Sequence, residues 1–431
     1  MTFWTFLPLV LRLVLFFLNI PVAYSMIMAG AVYFLFAPDS MSLDMMMQKM
    51  ISANSSFTYL AIPFFICAGV VFDYAGITRR LMHLAELLVG HIQGGMAQVN
   101  ILLSCMMGGL SGSANADAAL ESKMLVPEMV KLGYDRDFST VVTVASSCIT
   151  PIIPPGIILI LYASASDCSV AKMFYAGYIP GIVITIAMMI MTYCISKKRH
   201  YKPSRDRIAS ASEFGKAFLS GLPALFVPFG LVLGLRIGLF TPTEGGAVCV
   251  VYSLIIGFLV YREIKVSDLP KIVEESVSST AGIMFILAGA NALSIYLTWE
   301  RVPNLISQAI LTNIHSPYVF LLMVNILLLI IGMFFDGGAA MILLAPLLVP
   351  AAQQLGIDLI HFGLVLSLNL TIAGMSPPFG AMMFVSTSIT GTTIEEYAKA
   401  CIPYMALMIG CLLLFTYCPQ IVMLLPDLLS N

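Results

Sequence analysis

Charge is what this chain has least of. Asp, Glu, Lys and Arg make up 10% of its 431 residues, against roughly 25% in soluble domains. That scarcity, with 59% hydrophobic residues and a mean hydropathy of +0.96, excludes a soluble globule. The net charge of −2 leaves no basic surface for nucleic acid. The nine cysteines form no C-x-x-C pair and sit mostly inside apolar runs, so they read as small buried hydrophobes, with neither a disulfide frame nor a metal site. The five histidines (His83, His91, His200, His315, His361) show no ligand or triad spacing. There is no Walker-type loop, so ATP does not drive this chain directly.

What the chain does have is apolar length. Runs of the roughly 20 residues needed to cross a bilayer recur from end to end, which makes the expected fold an all-α polytopic membrane protein. Expected crossings are 3–19, 20–37, 59–74, 138–163, 174–196, 217–239, 242–261, 279–298, 360–387 and 402–425. The N-terminal run lacks a basic n-region and a small-residue cleavage site, and reads as retained helix. Arg12 interrupts it; it would snorkel, pair with a partner subunit, or mark 3–37 as one bent helix. Two spans broken near Asn19-Ile20-Pro21 are the favoured division. Segments 44–56, 76–92 and 265–278 mix charges with apolar residues at helical spacing, as interfacial helices do.

The chain also repeats itself. Residues 125–180, moved forward by 223 positions, fall on 348–403 without a gap. Twelve of the 56 aligned positions are identical, and half of those are Pro, Gly or Asp, among them Gly133 on Gly356 and Pro154-Pro155 on Pro377-Pro378. Such residues dictate where a chain bends. Two stretches, 95–128 and 317–350, are split midway by small or polar residues, Gly108 to Ser113 and Asp336-Gly337-Gly338. Each half is short for a span, so each stretch suits a re-entrant hairpin; a pair of ordinary kinked helices is the other arrangement.

Charge sets the orientation. Seven of the 21 Lys and Arg lie at Lys197, Lys198, Arg199, Lys202, Arg205, Arg207 and Lys216, which makes that loop cytoplasmic. Arg79, Arg80, Lys131 and Arg136 then fall on the same side, whereas the equivalent segments of the second copy, 299–316 and 351–360, carry only Arg301 and are external. The repeat is therefore inverted, an architecture of secondary transporters. The expected organisation is N-terminal scaffold helices (1–58), repeat 1 (59–196), a cytoplasmic linker with scaffold helices (197–278), and repeat 2 (279–431). In each repeat a hairpin (95–128, 317–350) precedes a broken helix (138–163, 360–387).

The breaks carry the chemistry. Proline removes an N–H and frees carbonyls one turn back, and broken helices expose partial charges at mid-membrane. Those carbonyls, with Ser, Thr and Asn oxygens, suit a small hard cation such as Na⁺, and helix N-termini suit a carboxylate. Tip 1 is Ser111-Gly112-Ser113-Ala114-Asn115, with Asp117 beyond; break 1 runs from Ser146 through Ser147, Thr150 and Pro155. Tip 2 is Asp336-Gly337-Gly338, and break 2 runs from Thr371 through Gly374 and Ser376 to Pro378. Asp117 and Asp336 are candidate ion or substrate residues, because intramembrane carboxylates are costly without a partner. Pro155 and Pro378 are candidate substrate contacts. Glu121 and Lys123 read equally as a paired or water-facing couple and as functional, while Glu244 in Thr241-Pro242-Thr243-Glu244 reads as a helix start. No catalytic constellation shares one depth, so an enzyme is not expected.

These motifs resemble the large membrane subunit of the tripartite ATP-independent periplasmic (TRAP) transporters, the DctM-like family, over essentially the whole chain. The resemblance rests on Ser111 to Ala114 through Leu125-Val126-Pro127, Thr150 to Pro155, Gly238 to Glu244, and Asn369 with Ser376-Pro377-Pro378. It implies an elevator-type transporter of the bacterial inner membrane, related in fold to divalent-anion/sodium symporters. It implies Na⁺ gradients driving import of an organic acid (C4-dicarboxylate, sugar acid or sialic acid) delivered by a periplasmic binding protein. A small four-helix membrane subunit would be required. By position, one Na⁺ site would join Ser111, Gly112, Ser113 and Asn115 to Ser147 and Thr150, and a second would join Asp336 and Gly337 to Gly374 and Ser376. The carboxylate would sit between them, near Ser113, Asn115 and Asn369. Glu121 and Lys123 depart from the small apolar residues usual in the family. A stand-alone Na⁺/carboxylate symporter is the alternative reading.

Overall fold

The computed structural model describes residues 3–18, 20–38, 42–55 and 57–429. These residues are helical, with no strand among them. In chain order the α-helices are α1 (Phe3–Phe17), α2 (Val22–Phe36), α3 (Leu43–Asn54), α4 (Ala61–Tyr74) and α5 (Ile77–Val89). Then come α6 (Gly95–Gly108), α7 (Ala114–Lys131), α8 (Arg136–Ser147), α9 (Ile157–Ala165) and α10 (Val170–Lys198). The middle of the chain forms α11 (Ala211–Arg236), α12 (Pro242–Ile255), α13 (Leu269–Trp299) and α14 (Val302–Asn313). The remainder is α15 (Pro317–Phe334), α16 (Gly337–Gln354), α17 (Leu359–Met375), α18 (Ala381–Thr390), α19 (Ile394–Tyr417) and α20 (Pro419–Leu429).

The 223-residue shift carries α7 onto α16 from first residue to last and the start of α8 onto the start of α17. The local devices repeat with it. Ser113 caps α7, accepting from the Ala116 N–H at 3.5 Å; its equivalent Asp336 caps α16, accepting from Gly338 and Ala339 at 3.0 and 3.4 Å. Gly133 and Gly356 both turn the chain with positive φ, at 87° and 71°, a conformation open to glycine at little cost. Pro154-Pro155 and Pro377-Pro378 are both cis. Cys148 and Thr371, which the shift equates, touch each other: the thiol donates to the Thr371 carbonyl at 3.7 Å.

Two packing groups result. In the first, α2, α3 and α4 lie against α13, α12 lies against α4, and α11 against α5. In the second, the hairpins α6–α7 and α15–α16 enclose the broken helices α8–α9 and α17–α18. The returning arm of each hairpin packs on the post-break helix of the other repeat, α7 on α18 and α16 on α9. Carbonyls freed by the breaks find side chains: Tyr397 O–H donates to the Met375 carbonyl at 3.0 Å, which satisfies in the interior what lipid cannot. The outer faces of α10, α11 and α12 show large apolar residues such as Ile190, Phe229 and Val251, as lipid contact requires. Seven helices among the described residues are long and apolar enough to cross a membrane.

Three expectations change. Residues 265–278 do not form a separate interfacial helix; from Leu269 they are the first turns of α13, which runs unbroken for 31 residues. Its early charges, Lys271, Glu274 and Glu275, extend the helix beyond the apolar stretch without ending it. The expected span 402–425 is two helices, α19 and α20, divided at Cys418. The favoured division of 3–37 into two helices holds, with α1 ending at Phe17 and α2 starting at Val22. Arg12 does not snorkel to the surface; it is buried within the chain, while Asn19 lies outside the described residues.

Glu244 starts α12, as read from the sequence. The Thr241 N–H donates to its carboxylate at 2.7 Å, and its own N–H donates to Thr241 Oγ1 at 3.3 Å, a reciprocal capping box. Glu244→Ala is expected to lower stability by about 1 kcal/mol and leave transport intact. A thermal-unfolding scan beside an uptake assay checks this.

Candidate functional site

The two hairpin tips meet. Asn115 Nδ2 donates to Asp336 Oδ2 at 3.4 Å, and around this contact opens a cavity of about 430 Å³. Tip 1 contributes Gly112, Ser113 and Asn115, and tip 2 contributes Phe335, Asp336, Gly337 and Gly338. Break 1 adds Pro151, and break 2 adds Thr371 and Gly374. A wall of the cavity comes from the other packing group: Ser278, Ser279 and Gly282 on α13. Sequence reasoning missed this wall. The small polar Ser278-Ser279 pair at the edge of an apolar run was the signal available.

Tip 1 is locked to break 1 by backbone alone. The Ile157 N–H donates to the Gly112 carbonyl at 3.3 Å, so the start of α9 is tied to the tip. Gly112 has φ +59°, and a Cβ there would lie 2.3 Å from the Pro155 carbonyl oxygen. Only glycine fits both conditions.

Behind the tip lies a buried polar cluster. Thr150 Oγ1 donates to Asp117 Oδ2 at 2.6 Å and stands 3.2 Å from the Ser104 carbonyl. Ser104 O–H lies 2.9 and 3.0 Å from the two Glu121 oxygens. Asn100 Nδ2 donates to Thr143 Oγ1 at 2.7 Å and its Oδ1 accepts from Ser146 at 2.8 Å. Ser147 Oγ donates to the Thr143 carbonyl at 2.8 Å. Two oxygens of this region, Asp117 Oδ1 and Ser111 Oγ, are buried without a partner. Buried polar atoms rarely stay unpaired, and an unpaired carboxylate oxygen in a membrane interior is the costliest kind. At break 2, Ser376 Oγ donates to the Ile372 carbonyl at 3.0 Å, and Gly374 opens onto the cavity.

Of the expected substrate contacts, Ser113 and Asn115 line the cavity. Four stand off its wall. Asp117 points back into the polar cluster, and Pro155 is buried with its carbonyl against Gly112. Pro378 is exposed outside the cavity. Asn369 is fully buried and donates to Asn325 Oδ1 at 2.9 Å and to the Asn325 carbonyl at 3.2 Å, gluing α17 to α15. Of the expected cation ligands, Gly112, Ser113, Asn115, Asp336, Gly337 and Gly374 face the cavity, while Ser111, Ser147, Thr150 and Ser376 stand behind it. Glu121 and Lys123 are not a pair. Two residues apart, they project from nearly opposite sides of α7, with Glu121 buried on Ser104 and Lys123 exposed.

Known proteins resemble this chain over nearly its whole length. The family model for the DctM component of tripartite ATP-independent periplasmic transporters matches residues 9–421. The sialic acid TRAP transporter large permease protein SiaM of Vibrio cholerae is 36% identical over 416 residues, covering 96% of this chain and 96% of its own length. The C4-dicarboxylate TRAP transporter large permease protein DctM of Pseudomonas aeruginosa is 35% identical over 397 residues, 92% of each chain. Among solved structures, the YdaH transporter of Alcanivorax borkumensis matches with a TM-score of 0.65 over 97% of this chain and 98% of its own at 13% identity, a likeness of fold alone. With its apolar spans and a family match over nearly its whole length, this chain belongs to the DctM family: it is the large permease component of a TRAP transporter, a multi-pass protein of the bacterial inner membrane and not an enzyme.

Proposed function

We propose that this permease imports an organic acid, a C4-dicarboxylate, sugar acid or sialic acid, in symport with Na⁺. The acid is handed over by a periplasmic binding protein, and a small four-helix membrane subunit completes the scaffold. The observation that carries this reading is the convergence of both tips and both breaks on one cavity, with buried oxygens behind tip 1 that lack a partner. The residues fit a hard cation: Ser111, Asp117 and Thr150 offer oxygen ligands at tip 1, and Asp336 with the backbone near Gly374 offers them at tip 2. Na⁺ bound there would supply positive charge beside the acid. The chain's own part is to place Ser113 and Asn115 at the cavity wall and to hold the α7 N-terminus towards it.

The cross-packing of the two repeats favours movement of hairpins and broken helices as one body against α13, an elevator-type step. Each net positive charge carried inward gains about 2.3 kcal/mol per 100 mV, so two or more Na⁺ with a monovalent acid would concentrate substrate electrogenically. Proteoliposomes containing the permease, small subunit and binding protein should show acid uptake that requires an inward Na⁺ gradient and speeds up with a negative interior. Uptake indifferent to Na⁺ would sink the coupling; electroneutral uptake would sink the stoichiometry. Undiminished uptake of free acid without the binding protein would favour the stand-alone symporter instead.

A further inference from the structure

Arg12 is the one charged residue of α1, a helix otherwise apolar but for Thr5. Phe6, Val10 and Val14, spaced by four, form the exposed stripe of that helix, at 48%, 54% and 49% exposure. Arg12 lies on the opposite face and is 4% exposed. Its Nε and Nη2 are buried with no hydrogen-bond partner, and no carboxylate pairs with it among the described residues. Its contact is the ring of Phe335, whose centroid lies 5.2 Å from the guanidinium carbon. A cation–π contact is weak beside the cost of burying an unpaired ion. Among the described residues no counter-charge faces it, and its side chain is turned away from the exposed stripe.

Phe335 also lines the tip cavity, immediately before Asp336. No lining residue of that cavity is basic, and Asp336 is acidic. An organic anion entering there meets a like charge, with one guanidinium resting on the ring of the cavity wall. We propose that Arg12 is a substrate-binding residue: on loading, its guanidinium swings past Phe335 and takes a carboxylate of the acid, forming a charge-assisted pair in place of its ring contact. This rests on the organic-acid reading above. It adds a specificity element contributed by the N-terminal helix, outside both repeats.

The test uses the full chain purified with its small subunit, as wild type, Arg12→Met and Arg12→Lys. Thermal unfolding and calorimetric titration are run at saturating Na⁺ with a panel of C4-dicarboxylates, sialic acids and keto sugar acids. Arg12→Met is expected to unfold at a higher temperature than wild type without ligand, because an unpaired buried charge is gone. Its affinity for the acid that stabilises wild type should fall at least tenfold, while Arg12→Lys stays within a few-fold. Unchanged affinity in Arg12→Met overturns the inference. So does loss of the small subunit on purification with acid binding intact, which would place the counter-charge on that subunit. If no acid on the panel stabilises wild type, the organic-acid reading itself falls.

Discussion

Gly112→Val is expected to abolish transport, lowering uptake about 100-fold or more while the protein still inserts. A β-branched residue at φ +59° costs about 1–2 kcal/mol in backbone strain. The clash matters more, with a Cβ placed 2.3 Å from the Pro155 carbonyl oxygen. Neither partner can yield cheaply, because both are backbone and the adjacent Gly112 carbonyl is bonded to the Ile157 N–H. The tip must lift from the break, carrying Ser113 and Asn115 away from Asp336. Displacement of a positioning element by about 1 Å can cost 100-fold in function. The check is initial uptake rate in proteoliposomes, normalised to inserted protein. Gly133→Ala is the control: it shares the positive φ but meets nothing within 4 Å, so it should lose stability and keep transport. Wild-type rates in Gly112→Val would show that the tip and the break need not touch.

Thr150→Val should come second. The substitution keeps the shape but removes the hydroxyl that donates to Asp117 Oδ2 at 2.6 Å. Asp117 Oδ1 already lacks a partner, so the carboxylate would lose its short hydroxyl donor while staying buried. Stranding a buried acceptor costs about 1–3 kcal/mol, and more when it is charged. A fall of several degrees in unfolding temperature is expected. If the cluster behind tip 1 also binds the coupling ion, the Na⁺ concentration for half-maximal uptake should rise at least tenfold, with a smaller change in the half-saturating acid concentration. Thr150→Ser keeps a hydroxyl and should recover most of both. A stability loss with unchanged Na⁺ dependence would confine Thr150 to holding Asp117 in place.

Much of this was legible in the sequence because Pro, Gly and Asp set backbone geometry directly. The polar tips before α7 and α16 and the two double-proline breaks follow from residues whose conformational demands do not depend on distant neighbours, whereas the hairpins expected to end at 128 and 350 run on to Lys131 and Gln354. What was not legible depends on which way a side chain points. The resemblance puts Asn369 near the substrate; its amide nitrogen bonds Asn325 across to α15 while its Oδ1 is buried without a partner, and neither follows from sequence. Glu121 and Lys123 read as a couple because they are neighbours in sequence, and the 100° turn per residue separates them. The Ser278-Ser279 wall went unread because small polar residues are ordinary in a helix until another element is seen facing them.

Ser386 Oγ donates to the Ala118 carbonyl at 3.5 Å across 268 residues of sequence, a contact within the α7–α18 interface. During synthesis the first hairpin therefore emerges long before the helix that covers it. At 5–20 residues per second the delay is on the order of 10–50 s. For that time the face of α7 around Ala118 stands without the helix that covers it in the folded chain. Stalling translation just before Ala381 should therefore leave that face of α7 more open to proteolysis or labelling than in the finished chain.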